Sequence, residues 1–232
     1  MFFRYNIEND KRGMNEMDKK KQWTIAGACL ILFCLLIVLL KSIDVTNAGP
    51  QGTAIGLSGI NTAVHGWTGL NMAWYRITSI LGYLVIAAAG ILMLYSLYRA
   101  FRMKGQDHTA RSLICLFILY LATAVLYVFF EKTVINWRPE ILPGTTEPEA
   151  SFPSTHTMLA IAVMGSAATL LPAMIKNRHL RIAAQSAAVT IMVLTVIGRL
   201  LSGVHWLTDI LGGILLGAAL VFAFRAVIGK KE

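Results

Sequence analysis

SFPSTHTMLAIAVMGSAATLLPAMI, residues 151–175, sets a polar patch against an apolar run of membrane-spanning length. The patch is Pro153-Ser154-Thr155-His156, and the run from Thr157 to Ile175 carries no charged residue. A bilayer core takes about 20 predominantly apolar residues at a rise of about 1.5 Å each. The stretch therefore predicts a helix that crosses a membrane with chemistry gathered at its start. The arrangement recurs on either side. Ser112 to Phe130 is followed by Glu131, Lys132 and Arg138-Pro139, while Ile182 to Leu200 leads through Arg199 to His205, and Asp209 heads the run Leu207 to Val227.

Working outward, Trp23 to Leu40 and Ala73 to Leu97 are two more such runs, which gives an all-α polytopic membrane protein of six transmembrane helices. At 232 residues, 56% hydrophobic and 14% charged, the chain falls outside the range of soluble domains. The expected organisation is a polar, mobile cytoplasmic tail over 1–22 and one transmembrane domain over 23–231, with site motifs at 132–139, 153–156 and 199–209. The first run is longer than the roughly 7–15 residues of a signal-peptide core, so it reads as a retained anchor rather than one cleaved near Thr46-Asn47-Ala48. Residues 41–71, rich in Gly, Thr, Asn and Ser, read as an outer loop or a shallow re-entrant segment. Cys29, Cys34 and Cys115 lie in apolar runs without CxxC spacing and read as buried small hydrophobes, not disulfides.

The net charge of +9 does not mark a nucleic-acid binder, because the basic residues fall between apolar runs and form no polar stripe. They read as topology signals. Lys11, Arg12 and Lys19 to Lys21, the 99–111 loop with Lys104, the 176–181 loop, and Arg225, Lys230 and Lys231 all fall on one side. Cytoplasmic loops hold the Lys and Arg excess, so both termini are expected inside the cell membrane and the polar patches on its extracytoplasmic side. Trp23, Trp67, Trp74, Trp137 and Trp206, near span ends, read as interfacial anchors.

Pro at a first helical position with Ser and Thr around it marks Pro153 to His156 as a helix start, whose free N–H groups and dipole make an anion site. A simple N-cap is the plainer alternative. His205 and Asp209, four apart, share a helix face, so the carboxylate can fix the imidazole tautomer and leave the other nitrogen as nucleophile or base. Arg199 falls on the wrong face of a continuous helix, and a break at Ser202-Gly203 would fold it back; an interhelical Arg199–Asp209 ion pair is the alternative. Arg138 offers a planar fork and Lys132 a point charge for phosphate oxygens, or both simply snorkel to headgroups. Ionisable groups at membrane depth are expensive and usually functional, and three consecutive connections carrying them on one side favour a shared phosphate site. There is no carboxylate cluster suited to Mg²⁺ and no Cys/His zinc spacing, so no metal and no other cofactor is expected.

In order and spacing, residues 115–225 resemble the type 2 phosphatidic acid phosphatases, the membrane branch of a superfamily that includes vanadium haloperoxidases and bacterial acid phosphatases. That family carries K-x6-R-P, P-S-G-H and S-R-x5-H-x3-D. The third motif is met by Arg199, His205 and Asp209 with Gly198 for the usual Ser, and the second by Pro153, Ser154 and His156 with Thr155 for Gly. In the first, Arg138-Pro139 is present, but Lys132 leaves five intervening residues and Glu131 occupies the lysine register. The resemblance implies that His205 attacks phosphorus and forms a phosphohistidine, that Asp209 holds its ring, and that His156 protonates the leaving oxygen. It implies that Arg138, Arg199, Lys132, Ser154 and the amide near Thr155 bind the phosphate oxygens.

The connection from Glu140 to Phe152 is too short for an outer domain, so the expected partners are the bilayer and a lipid phosphate reached from its plane. Undecaprenyl pyrophosphate, phosphatidic acid and phosphatidylglycerol phosphate fit, the outward-facing site mildly favouring recycling of a polyprenyl carrier. A lipid phosphotransferase would use the same site. A non-enzymatic anion transporter would need polar residues through the middles of several spans, and spans two to six are almost purely apolar there. His65, His108 and His179 lie outside the motifs and receive no role.

Overall fold

The structure is a computed structural model that describes residues 2–103, 108–142 and 144–229. Side chains of 1–15 and 103–110 lie outside the description, as do Lys230 and Lys231, so the topology reading of Lys11, Arg12, Lys104 and those two, and His108, is not addressed by it. Seven α-helices follow one another: α1 (Phe2–Ser42), α2 (Ser58–Thr68), α3 (Met72–Met103), α4 (His108–Lys132), α5 (Thr155–Met174), α6 (Arg178–Leu201) and α7 (Leu207–Ile228). All but α2 are long and apolar enough to cross a bilayer. The described residues form no named strand, only the isolated bridges Thr46↔Ile55 and Trp137↔Ala150. The six-span, all-helical protein expected from the apolar runs is the architecture found.

Two segments depart from expectation. The helix of the first span is continuous from Phe2 and so includes the segment expected as a polar, mobile tail. Residues 2–22 contain no Pro, and their Glu, Lys, Arg and Met propagate a helix that the span has already nucleated. Segment 41–71, in turn, is an ordered cap. Leu57, in the left-handed region at φ 50°, has no side chain able to cap α2. Asp44 does so instead, accepting from Ser58 Oγ at 2.9 Å and from the Gly59 amide at 2.6 Å. Fully buried Asn61 then pins α2 to the head of α7: its Nδ2 donates to Thr208 Oγ1 at 3.0 Å, and its Oδ1 accepts from the Thr208 amide at 3.3 Å.

In the bundle α7 packs between α1 and α5, and α5 against α6, while α3 lies along α4 and α6. With no apolar driving force between helices in lipid, close approach depends on small residues. On α7, a Cβ at Gly213 would meet the Ser154 carbonyl at 2.7 Å and Thr157 at 2.8 Å, so this glycine sets how near the α5 start comes to α7. Mid-bundle polar groups are satisfied internally, as hydrocarbon requires: Tyr120 donates to the Val163 carbonyl at 3.1 Å and accepts from Ser166 at 3.2 Å. Phe33, Leu40, Phe130, Phe152, Met158 and Leu216 form an apolar floor near the end where α4 and α6 finish and α5 and α7 begin. Among the cysteines Cys34 is exposed on the outside of α1, contrary to the expected burial, because that helix packs on one side only; all three are free.

Candidate active site

Three connections converge at that end of the bundle. The loop after α4 folds back on itself: the Arg138 amide donates to the Glu149 carbonyl at 3.0 Å, and the Ser151 amide to the Asn136 carbonyl at 2.9 Å. This short ladder buries Arg138, whose Nε lies 3.2 Å from Glu149 Oε2. The second connection is tied to the third by the Ser154 amide, which donates to the Asp209 carbonyl at 2.9 Å. The first is tied to the third by the Trp206 indole, which donates to the Trp137 carbonyl at 2.6 Å. Trp206 is buried, so this indole finds its partner inside the protein and does not serve as the interfacial anchor expected of it.

Helix α5 begins two residues later than expected. Ser154 is its N-cap, Thr155 its first residue and His156 its second, which puts Pro153 ahead of the cap rather than at the first helical position. The Ser154 hydroxyl makes no capping bond; it is 0% exposed and has no hydrogen-bond partner within the protein. The simple N-cap reading therefore fails. The His156 ring sits opposite Gly82 of α3, where a Cβ would lie 2.9 Å from His156 Cδ2.

Helix α6 ends at Leu201, and Gly203, at φ +67°, turns the chain toward α7. The expected break is present and brings Arg199, 1% exposed, into the electrostatic surroundings of His156 and His205. Arg199 makes no ion pair with Asp209; its guanidinium lies 5.3 Å from the Tyr75 ring. His205 is not on a helix. It precedes the N-cap Trp206, so it and Asp209 do not share a helix face as the spacing suggested. Asp209, 0% exposed, caps α7 by accepting from the Trp206 amide at 2.8 Å, and the same oxygen faces His205 Nδ1 at 3.5 Å. That separation is longer than a formed hydrogen bond, but catalytic contacts in ligand-free proteins are often loose. Burial, with the cations Arg138 and Arg199 and the His156 ring nearby, holds the His205 imidazole well below its usual range and keeps it neutral. With Nδ1 turned to the carboxylate, Nε2 is the nitrogen that does not face Asp209.

Arg138, Ser154, His156, Arg199, His205 and Asp209 are thus brought together. Lys132 is not: it is exposed at the end of α4 and makes no hydrogen bond or ion pair among the described residues. Its neighbour Glu131 reaches the site instead, accepting from Thr155 Oγ1 at 2.9 Å. Tyr75, Tyr127 and Ser151 also line the region and carried no signal in the sequence, since each belongs to a different connection or span. His65, given no role from sequence, pairs with Glu140 at 3.2 Å and packs edge-on against Trp206 at 5.4 Å.

Gly198 has a local reason. A Cβ there would lie 2.5 Å from Thr78 Cγ2 and 3.0 Å from the Trp74 ring. Gly198→Ser is therefore expected to lower the melting temperature in detergent, at an overpacking cost of about 1–3 kcal/mol. Adding Thr78→Ser, which removes that methyl, should recover part of the loss; a thermal melt of the three proteins checks both.

The PAP2 superfamily profile matches residues 112–232. The phosphatidylglycerophosphatase B of Bacillus subtilis (strain 168) is 39% identical over 100 residues, 40% of this chain and 49% of that protein, so the match spans about half the length of the relative. The crystal structure of the first transmembrane PAP2 type phosphatidylglycerolphosphate phosphatase from Bacillus subtilis superposes with a TM-score of 0.57 at 24% identity. The superposition covers 89% of this chain and 97% of that one, a likeness of fold.

Proposed function

The chain belongs to the PAP2 superfamily, and on that footing we propose that it is an integral-membrane phosphatase that removes a phosphoryl group from a lipid through a phosphohistidine on His205. One observation carries the reading. Ser154 Oγ, Arg199 Nε and both His205 nitrogens, drawn from two of the three motifs and all buried, have no hydrogen-bond partner within the protein. Buried polar groups are almost always paired, so this convergence suits a ligand rich in oxygen.

Neutral His205 attacks phosphorus through Nε2, and the P–O bond to the lipid breaks. His156 gives its proton to the leaving oxygen, then takes one from the water that attacks the phosphohistidine, which releases phosphate and restores neutral His205. Arg138 and Arg199 stabilise charge on the equatorial oxygens, and Asp209 orients the nucleophile. No metal takes part in this sequence. The Lys and Arg residues at the opposite end of the bundle, Lys19 to Lys21, Arg99, Arg102, Arg111, Lys176, Arg178 and Arg181, support an extracytoplasmic site with both termini inside. The names of both relatives favour phosphatidylglycerol phosphate as the first substrate to try, with phosphatidic acid and undecaprenyl pyrophosphate beside it. Quenching turnover of lipid radiolabelled at the phosphate is expected to leave acid-labile, base-stable label on the protein. Turnover with no such label, at quench times shorter than one cycle, contradicts the covalent step.

A further inference from the structure

Two departures from the family pattern touch one another. Glu131 stands seven residues before Arg138, where the pattern has lysine, and Thr155 stands where it has glycine. Thr155 Oγ1 donates to Glu131 Oε1 at 2.9 Å. Because Thr155 is buried at the first turn of α5, between Ser154 and His156, the bond fixes a carboxylate at the edge of the proposed phosphate cradle.

The groups around this carboxylate define the local charge. Tyr127 faces it from α4 and Arg199 from α6, with Arg138 on the loop, His156 on α5 and His205 before α7 beyond them. On the outer side lie exposed Lys132 and, from α1, Lys41, whose Nζ donates to the Val134 carbonyl at 3.5 Å. The pattern's three cations are thus reduced at the cradle to Arg138 and Arg199. Against them stand Glu131 and Glu149, the latter 3.2 Å from Arg138. A cradle with so little net positive charge holds one negative charge far better than two.

We propose that Glu131, held by Thr155, is a specificity-determining residue that makes this site select the singly ionised form of a lipid phosphomonoester. The inference rests on the phosphatase reading above and extends it to the charge state of the substrate. A phosphate ester loses its second proton near pH 6. Above that pH the dianion predominates and meets the Glu131 carboxylate, so binding weakens as pH rises. Glu131→Gln keeps an acceptor for Thr155 while removing the charge, and Glu131→Lys restores a cation.

The test is kcat and KM of the parent, Glu131→Gln and Glu131→Lys proteins on short-chain phosphatidic acid from pH 5 to 8. Alongside it, the Kd of the same lipid is measured over the same range for His205→Ala proteins with and without Glu131→Gln. Glu131→Gln is expected to lower KM and Kd at pH 8 by about five- to tenfold and at pH 5 by only about two- to threefold, because the repulsion scales with the charge on the ligand. Glu131→Lys should go further in the same direction. A carboxylate that merely braced α5 would alter the melting temperature or kcat and leave the pH dependence of Kd as it was. Parallel Kd–pH curves for the two His205→Ala proteins overturn the proposal. Absence of turnover in the parent, with those curves diverging as expected, overturns the phosphatase reading and leaves the binding specificity standing.

Discussion

His205→Ala is expected to lower phosphate release by about 10³-fold or more, the scale lost when an activated nucleophile is removed, while the bundle stays folded. The two halves of this expectation have separate causes. In the proposed mechanism Nε2 is the attacking atom and no other group is assigned that role: His156 is the proposed acid, and Asp209 is already engaged by the Trp206 amide at 2.8 Å. The fold, by contrast, does not depend on the imidazole, whose two nitrogens make no hydrogen bond within the protein. The α6–α7 turn is held by other bonds, from Ser202 Oγ to the Arg199 carbonyl at 2.7 Å and from the Asn71 amide to the Ser202 carbonyl at 3.0 Å. Phosphate release and a thermal melt on the same preparation check both halves. A folded variant that keeps more than about a tenth of parental turnover removes His205 from the role of nucleophile.

Arg199→Met is expected to lower kcat/KM by about 10²-fold or more and, in the same protein, to raise the melting temperature. Arg199 is 1% exposed, its Nε has no hydrogen-bond partner, it forms no ion pair with Glu131 or Asp209, and its guanidinium lies 5.3 Å from the Tyr75 ring. A buried cation without a carboxylate to pair with is destabilising, and an apolar side chain of similar length relieves that by about 1 kcal/mol or more. On the proposed reading its charge serves a bound anion, so stability and activity should move in opposite directions. Arg199→Lys should not rescue activity, since a point charge cannot reproduce the planar fork. A drop in melting temperature for Arg199→Met would mean that Arg199 holds the bundle together and that its charge is not reserved for substrate.

The spans were legible because hydrocarbon imposes a length and a composition that apolar runs report directly. The site was partly legible, because Arg138, Ser154, His156, Arg199, His205 and Asp209 are polar residues at span ends where a membrane protein has few reasons to keep them. What the sequence hid lies in contacts between distant segments. Helix α2 is short, and Asn61 bonding to Thr208 is what gives it a place. Tyr75 beneath Arg199 has no periodic relation to it. The spacing of His205 and Asp209 suggested one helix face, whereas the helix starts between them and the carboxylate caps it. Glu131 was visible as a residue in the lysine register, but its bond to Thr155, the other departure, needed coordinates.

The most direct test of the account is release of inorganic phosphate by the purified, detergent-solubilised protein in EDTA. Phosphatidylglycerol phosphate, phosphatidic acid and undecaprenyl pyrophosphate are assayed side by side, with His205→Ala as control. The account predicts release from at least one lipid without divalent metal, and its loss in the control. No release from any of the three by folded protein, or release that EDTA abolishes and Mg²⁺ restores, contradicts it.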